Sequence, residues 1–178
     1  MKTKREGGAF KIAISGKSGC GNTTVSRLVA ETLGYPFINF TFRTLAEENE
    51  ISLEEILPLA ELDDKWDREV DRRQIDLAKG HINGCVLGSR LAIWLLEDAD
   101  LKVYLQADST IRTQRIMQRE DGDFELVRNF TLMRDRADRE RYLRLYNIDN
   151  DDYSFADLII NAGKFNAEQI AQIIVAAL

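Results

Sequence analysis

The sequence predicts a three-layer α/β domain, a five-stranded parallel sheet flanked by helices. Three observations carry that expectation. Short apolar runs alternate with helix-length amphipathic segments along the chain, as strands and their crossover helices do in a parallel sheet. The first apolar run leads straight into a glycine-rich stretch, ISGKSGCGNTT at residues 14–24, and that stretch opens a helical pattern. A chain of 178 residues, 44% hydrophobic and 30% charged, is long enough for one buried core and short for two.

In chain order, strands are predicted at about 10–15 (FKIAIS), 36–40 (PFINF), 84–87 (GCVL), 101–105 (LKVYL) and 157–161 (DLIIN). Helical patterns fill the intervals near 22–33, 44–62, 64–80, 90–97, 109–119, 123–146 and 167–177. Ser52 before LEEI is an N-cap candidate, with Glu55 three residues on to complete a capping box. The two prolines are Pro36 and Pro58, and no Gly/Ser-rich linker or internal repeat interrupts the pattern, so residues 1–178 read as one domain.

Charge and cysteine usage exclude several function classes. The formal net charge of −6 argues against nucleic-acid or anionic-membrane partners, which need a surplus of Lys and Arg. Cys20, Cys85 and a lone His81 supply neither metal-ligand spacing nor a disulfide framework, which suits a reducing cytoplasm. The basic start, MKTKREGG, is followed by an apolar stretch from Ala9 to Ile14 that is too short for a signal peptide or a membrane span.

The glycine stretch lies where phosphate chemistry needs it, after a strand and before a helix. Glycines let successive backbone N–H groups turn inward around phosphate oxygens, and the helix N-terminus adds its positive dipole end. Gly16, Lys17, Ser18, Gly19, Cys20, Gly21, Asn22, Thr23 and Thr24 are therefore candidate nucleotide-phosphate ligands, with Cys20 also reading as a small packing residue. Thr23 holds the place of the hydroxyl that coordinates Mg²⁺ in the G-x-x-x-x-G-K-[ST] pattern. The lysine of that pattern is replaced by Asn22. Lys17 offers a substitute cation, at a position similar to that in the deviant phosphate loops of the P-loop ATPases that position partition complexes and division sites. The competing reading of Lys17 is an exposed lysine on a solvated turn.

Arginines cluster where a sheet of this kind binds ligands. Arg43 follows the second strand and Arg90 the third, both at strand carboxyl ends, and planar guanidinium forks suit phosphate oxygens. Arg68 and Arg72 lie four apart on one helix face, and one of them is expected at the same site. In RDRADRER, Arg134, Asp138 and Arg141 fall at i, i+4 and i+7 along one face, which either meets a nucleotide or is a salt-bridged solvent face. Arg112, Arg115 and Arg119 in STIRTQRIMQRE share helix faces pairwise.

FTFRTLAEENEISLEEI, DREVDRRQIDLAKG, CVLGSRLAIW, RTQRIMQRE and RYLRLYNIDNDDYSFADLIIN together resemble the short, archaeal-type cytidylate kinases of the P-loop nucleoside monophosphate kinase family, from about residue 10 to the C-terminus. The resemblance implies a three-layer P-loop kinase with a monophosphate-binding insertion at 41–80 and a lid at 110–124. It implies transfer of the γ-phosphoryl group of ATP, with Mg²⁺, to CMP or dCMP. It also implies residue roles. Arg43 and Arg90, with one of Arg68 and Arg72, would grip the monophosphate. Arg134, Asp138 and Arg141 resemble an R-x-x-x-D-x-x-R arrangement of bacterial cytidylate kinases in which the aspartate reaches sugar hydroxyls and the arginines reach phosphates. Arg112, Arg115 and Arg119 would close over the ATP phosphates, Arg115 and Arg119 acting in catalysis with Lys17, and NAGKF would form an adenine loop. Small nucleotides are the expected partners and a monomer the expected state.

Two departures stand against this pattern. Besides Asn22, the chain reads Leu87-Gly88-Ser89-Arg90 where relatives carry an acidic residue two positions before the arginine, as in L-E-G-R. Coordinated replacement, with Lys17 for charge and Asn22 as a neutral donor, keeps an active kinase. The alternatives are a degenerate nucleotide-binding pseudokinase, serving as sensor or interaction module, and a kinase for another monophosphate such as UMP or AMP.

Overall fold

The computed structural model describes residues 8–119 and 122–178. The basic residues 1–7, and Glu120 and Asp121 in the expected lid, lie outside the described residues. Its elements are β1 (Lys11–Gly16), α1 (Asn22–Leu33), β2 (Phe37–Ile38), α2 (Phe42–Glu48), α3 (Leu53–Leu62), α4 (Lys65–Gly80), β3 (Cys85–Gly88), α5 (Ala92–Leu95), β4 (Leu101–Gln106), α6 (Ser109–Met117), α7 (Phe124–Tyr146), β5 (Leu158–Asn161) and α8 (Ala167–Ala176). No helix of the described residues is long and apolar enough to cross a membrane.

The five strands form one parallel sheet in the order β2-β3-β1-β4-β5. Strand side chains alternate between faces, so β1 feeds two cores. Ile12 and Ile14 point to the side covered by Val25 and Val29 of α1 and Ile170 and Ile174 of α8. Ala13 points to the other side, against Ala78 of α4, Ile93 of α5 and Leu87 of β3. Both faces of the sheet are thus covered, as unbroken apolar strands require. A third cluster, around Phe40, Leu45, Ile56 and Val70, gives the α2–α4 region a core of its own.

The carboxyl end of β1 is the position that matters for function. β1 lies between β3 and β4; the connection from β1 runs to β2 on one side and that from β3 runs to β4 on the other, which opens a crevice between the ends of β1 and β3.

Three predicted elements differ from those observed. The helix expected over 44–62 is two helices, because the backbone at Glu50 turns to φ 57° and a fresh N-cap follows at Ser52. That cap is the predicted box: the Ser52 side chain accepts from the Glu55 amide at 3.2 Å, and the Glu55 carboxylate accepts from the Ser52 amide at 2.7 Å. β2 shrinks to Phe37–Ile38, an edge strand paired with β3 alone. The helix near 90–97 contracts to the single turn Ala92–Leu95.

Candidate active site

The glycine loop closes on itself through its backbone. Gly19 at φ 83° and Gly21 at φ 95° adopt left-handed conformations that a side chain would strain, and a Cβ on Gly16 would stand 2.6 Å from the Leu105 carbonyl oxygen. Gly21 is the N-cap of α1 and offers no side-chain cap, so the first-turn amides remain as donors for an anion. Asn22 at the head of α1 donates from Nδ2 to the Gly16 carbonyl at 2.8 Å, while its buried Oδ1 has no hydrogen-bond partner among the described residues. Asn22 therefore braces the loop. Cys20 is buried in the main core, and burial raises its thiol pKa, consistent with packing.

Lys17 lines the cleft, with its ammonium already paired. Its ammonium meets Asp151 Oδ1 at 2.6 Å, and both side chains stay partly exposed. The turn that carries Asp151 is fixed from two sides. Arg139 bonds Asp149 at 2.6 and 2.7 Å, and Tyr153 stacks on Tyr104 of β4 at 3.8 Å.

The expected lid arginines divide among three tasks. Arg112 is buried and turned inward, pairing with Asp135 of α7 at 2.6 Å and donating to the Ser18 carbonyl at 3.1 Å. The expectation that it contacts ATP phosphates is not met, since a guanidinium held by a buried carboxylate supports the loop from behind. Arg115 donates to the Ala162 carbonyl at 2.6 Å and lines the cleft beside the loop. Arg119 is exposed and lines the same cleft.

That cleft, of about 830 Å³, runs from the glycine loop to the inner face of α4. Thr23 and Thr24 line its loop end, and Phe165, the last residue of the expected adenine loop, and Asn166 after it also line it. At the other end stand Arg90, Arg134 and Arg141. Asp138 is buried behind them: its Oδ2 accepts from Arg90 and its Oδ1 accepts from Arg141 at 2.5 Å. Arg141 also approaches Asp67 Oδ1 of α4 at 3.4 Å. Among the described residues Arg134 has no carboxylate within salt-bridge distance, and it stays exposed at the cleft. Three guanidiniums around one opening suit an anion with several oxygens. Asp138, with both oxygens engaged and its side chain outside the main cleft lining, holds two of those guanidiniums; the expectation that it reaches sugar hydroxyls is not met by this geometry.

The remaining predicted arginines do not reach the cleft. Arg43 is exposed on the first turn of α2 and is absent from the lining. Arg68 donates to the Leu145 carbonyl at 2.9 Å and lies over the Tyr146 ring, clipping α4 to the end of α7. Arg72 faces solvent between Glu69 and Asp76 of its own helix. The reason is helical phase. The face of α4 that meets the cleft carries Asp67, Val70, Asp71 and Gln74, at i, i+3, i+4 and i+7, and Arg68 and Arg72 sit one residue, about 100°, off it.

The chain is similar to known proteins over nearly its whole length. Residues 11–164 match the cytidylate kinase-like family. The chain belongs to that family. It is 46% identical over 169 residues to the "Cytidylate kinase 2" of Borreliella afzelii, covering 93% of this chain and 94% of the relative. It is 41% identical over 170 residues to the cytidylate kinase of Archaeoglobus fulgidus, covering 94% of each. Among solved structures, the shikimate kinase of Bacteroides thetaiotaomicron superposes with a TM-score of 0.64 at 17% identity, over 95% of this chain and 99% of that one. Deoxyadenosine kinase from M. mycoides with bound dATP gives 0.56 at 16%, over 94% and 98%. These likenesses show the three-layer P-loop kinase fold.

Within this cytidylate kinase-like chain, the missing carboxylate at position 88 is built into the packing. A Cβ on Gly88 would meet Ser26 Oγ at 2.5 Å and Ser26 Cβ at 2.8 Å, so no side chain fits there without movement of α1. Among the described residues no cluster of three His, Cys, Asp or Glu could hold a metal by itself. Thr23 offers an exposed hydroxyl at the loop, an oxygen donor of the kind that Mg²⁺ takes. The cleft residues that the sequence reading passed over are Asp67, Asp71 and Gln74. Their i, i+4, i+7 spacing within DREVDRRQ was the available signal, masked by the adjacent arginines.

Proposed function

We propose that this protein transfers the γ-phosphoryl group of ATP to CMP or dCMP, giving ADP and CDP or dCDP. The observation that carries the reading is one continuous cleft with a phosphate loop at one end and the Arg90, Arg134, Arg141 cluster at the other, in a chain 46% identical to a cytidylate kinase. ATP phosphates lie on the amides of residues 16–24, and the acceptor phosphate lies against the three arginines. An acceptor phosphate oxygen attacks the γ-phosphorus, the bond to the β,γ-bridging oxygen breaks, and ADP leaves with that electron pair. No covalent enzyme intermediate is required, because alignment and charge neutralisation suffice.

Each residue has a bounded task in this reading. Asp138 aims Arg90 and Arg141. Asn22 keeps the loop closed through Gly16. Arg115 and Arg119 flank the transferring group, and Lys17 supplies the cation that position 22 lacks. Thr23 would hold Mg²⁺, whose charge offsets that of the phosphates. Lys17 can leave Asp151 at little cost, since an exposed pair contributes only about 0–1 kcal/mol, whereas a triphosphate presents a larger opposing charge.

The test is a coupled ADP-release assay with MgATP and a panel of CMP, dCMP, UMP and AMP. The highest kcat/KM is expected for CMP or dCMP. If nucleotide binds but no monophosphate stimulates ADP release, the protein is a nucleotide-binding pseudokinase and the reading falls.

A further inference from the structure

Asp67 is a buried carboxylate with half of its hydrogen-bonding capacity unused. Only 8% of the residue is exposed. Its Oδ1 has Arg141 at 3.4 Å, but its Oδ2 is buried without a hydrogen-bond partner among the described residues, on a residue that lines the acceptor end of the cleft. An unpaired acceptor of this kind is costly to keep unless a ligand donor completes it. One turn on, Asp71 accepts from the Tyr146 hydroxyl at 2.8 Å through Oδ2, leaving Oδ1. Gln74 donates its Nε2 to the Phe40 carbonyl at 2.8 Å, which fixes the amide and leaves Oε1 as an acceptor. All three residues line the cleft from the same face of α4.

We propose that Asp67, supported by Asp71 and Gln74, reads the exocyclic amino group of the acceptor base, so that a wall of acceptors selects an amino-bearing pyrimidine over a keto-bearing one. The inference rests on the monophosphate kinase reading above for the location of the acceptor. Its chemistry is simple. Cytosine presents N–H donors where uracil presents a carbonyl oxygen, and a carboxylate oxygen attracts the first and repels the second. Rejection of this kind is stronger than any hydrophobic pocket achieves, because the wrong base leaves buried polar groups unpaired. The phosphate is held elsewhere, by the arginines, so the α4 wall is a specificity-determining element and not a catalytic one.

The test uses Asp67→Asn, which keeps the shape and replaces one acceptor with a donor. Binding of CMP, dCMP and UMP to the wild type and the variant is measured by calorimetry without ATP, alongside turnover. The expected result is a fall in the CMP-over-UMP affinity ratio of about ten- to a hundredfold, with UMP binding retained or improved. An equal loss for CMP and UMP would make Asp67 only an anchor for Arg141 and would overturn the inference. A change confined to CMP against dCMP would move its contact to the sugar and overturn it as well. Asp71→Asn, equally isosteric, supplies the same ratio if Asp67→Asn does not fold, with a fall expected and an unchanged ratio contradicting the proposal. Binding selectivity that shifts in a protein without turnover would sink the kinase reading alone; turnover with an unmoved ratio would sink the α4 inference alone.

Discussion

Lys17 shows how a single charge can be legible in position and hidden in partnership. Its place one residue after Gly16 marks it as the substitute for the lysine missing at Asn22, but its contact with Asp151 depends on a turn far along the chain that Tyr153 and Arg139 fix. No local pattern announces that pairing. Losing one charge-assisted hydrogen bond is worth about 1.5–3 kcal/mol, or roughly ten- to a hundredfold in rate. Lys17→Ala should therefore lower kcat by about that factor at saturating ATP and CMP while raising KM for ATP less, because only contacts that strengthen in the transition state accelerate the step. A wild-type kcat in the variant would leave Lys17 as a surface partner of Asp151. Asp71 shows what remains illegible at this scale: desolvation pushes its pKa up to about 6, against the pull of the Tyr146 hydroxyl, and no sequence neighbour reports that burial.

At the scale of elements, the helices read from periodicity were located well and their faces less well. α7 was expected from one long pattern and appears as Phe124–Tyr146, with Asp123 capping it through the Leu126 amide at 3.1 Å. Which arginines of α4 or α6 face the nucleotide depended instead on phase, and phase is set by what each helix packs against. α6 is the clearest case. Three arginines suggested a lid over phosphates, yet Arg112 is drawn into a buried pair with Asp135 and braces the loop at Ser18. Breaking a buried pair from one side leaves an uncompensated charge and costs about 3–5 kcal/mol. Arg112→Met should thus destabilise the protein by about that amount in chemical denaturation, and Asp135→Leu added to it should restore part of the loss. A single variant of wild-type stability would contradict the bracing role of Arg112.

Over the whole molecule, an acidic chain of net charge −6 still lines one crevice with Lys17, Arg90, Arg115, Arg119, Arg134 and Arg141. The parallel sheet makes this possible. It brings the carboxyl ends of β1 and β3 side by side, so the glycine loop after one and Arg90 after the other share the cleft, and α7 brings Arg134 and Arg141 to it. The strands along the chain and the glycine loop were readable because each follows from a local rule; the order of strands in the sheet, the α4 wall and the Asp138 brace were not, because they exist only through long-range packing. The central claim is that this crevice passes a phosphoryl group between two nucleotides. Its most direct measurement follows the label from ATP carrying a radioactive γ-phosphoryl group in the presence of CMP and Mg²⁺. The account predicts label in the β-position of CDP, with little in inorganic phosphate. Label appearing only in inorganic phosphate, or remaining in ATP while CMP is bound, would contradict it.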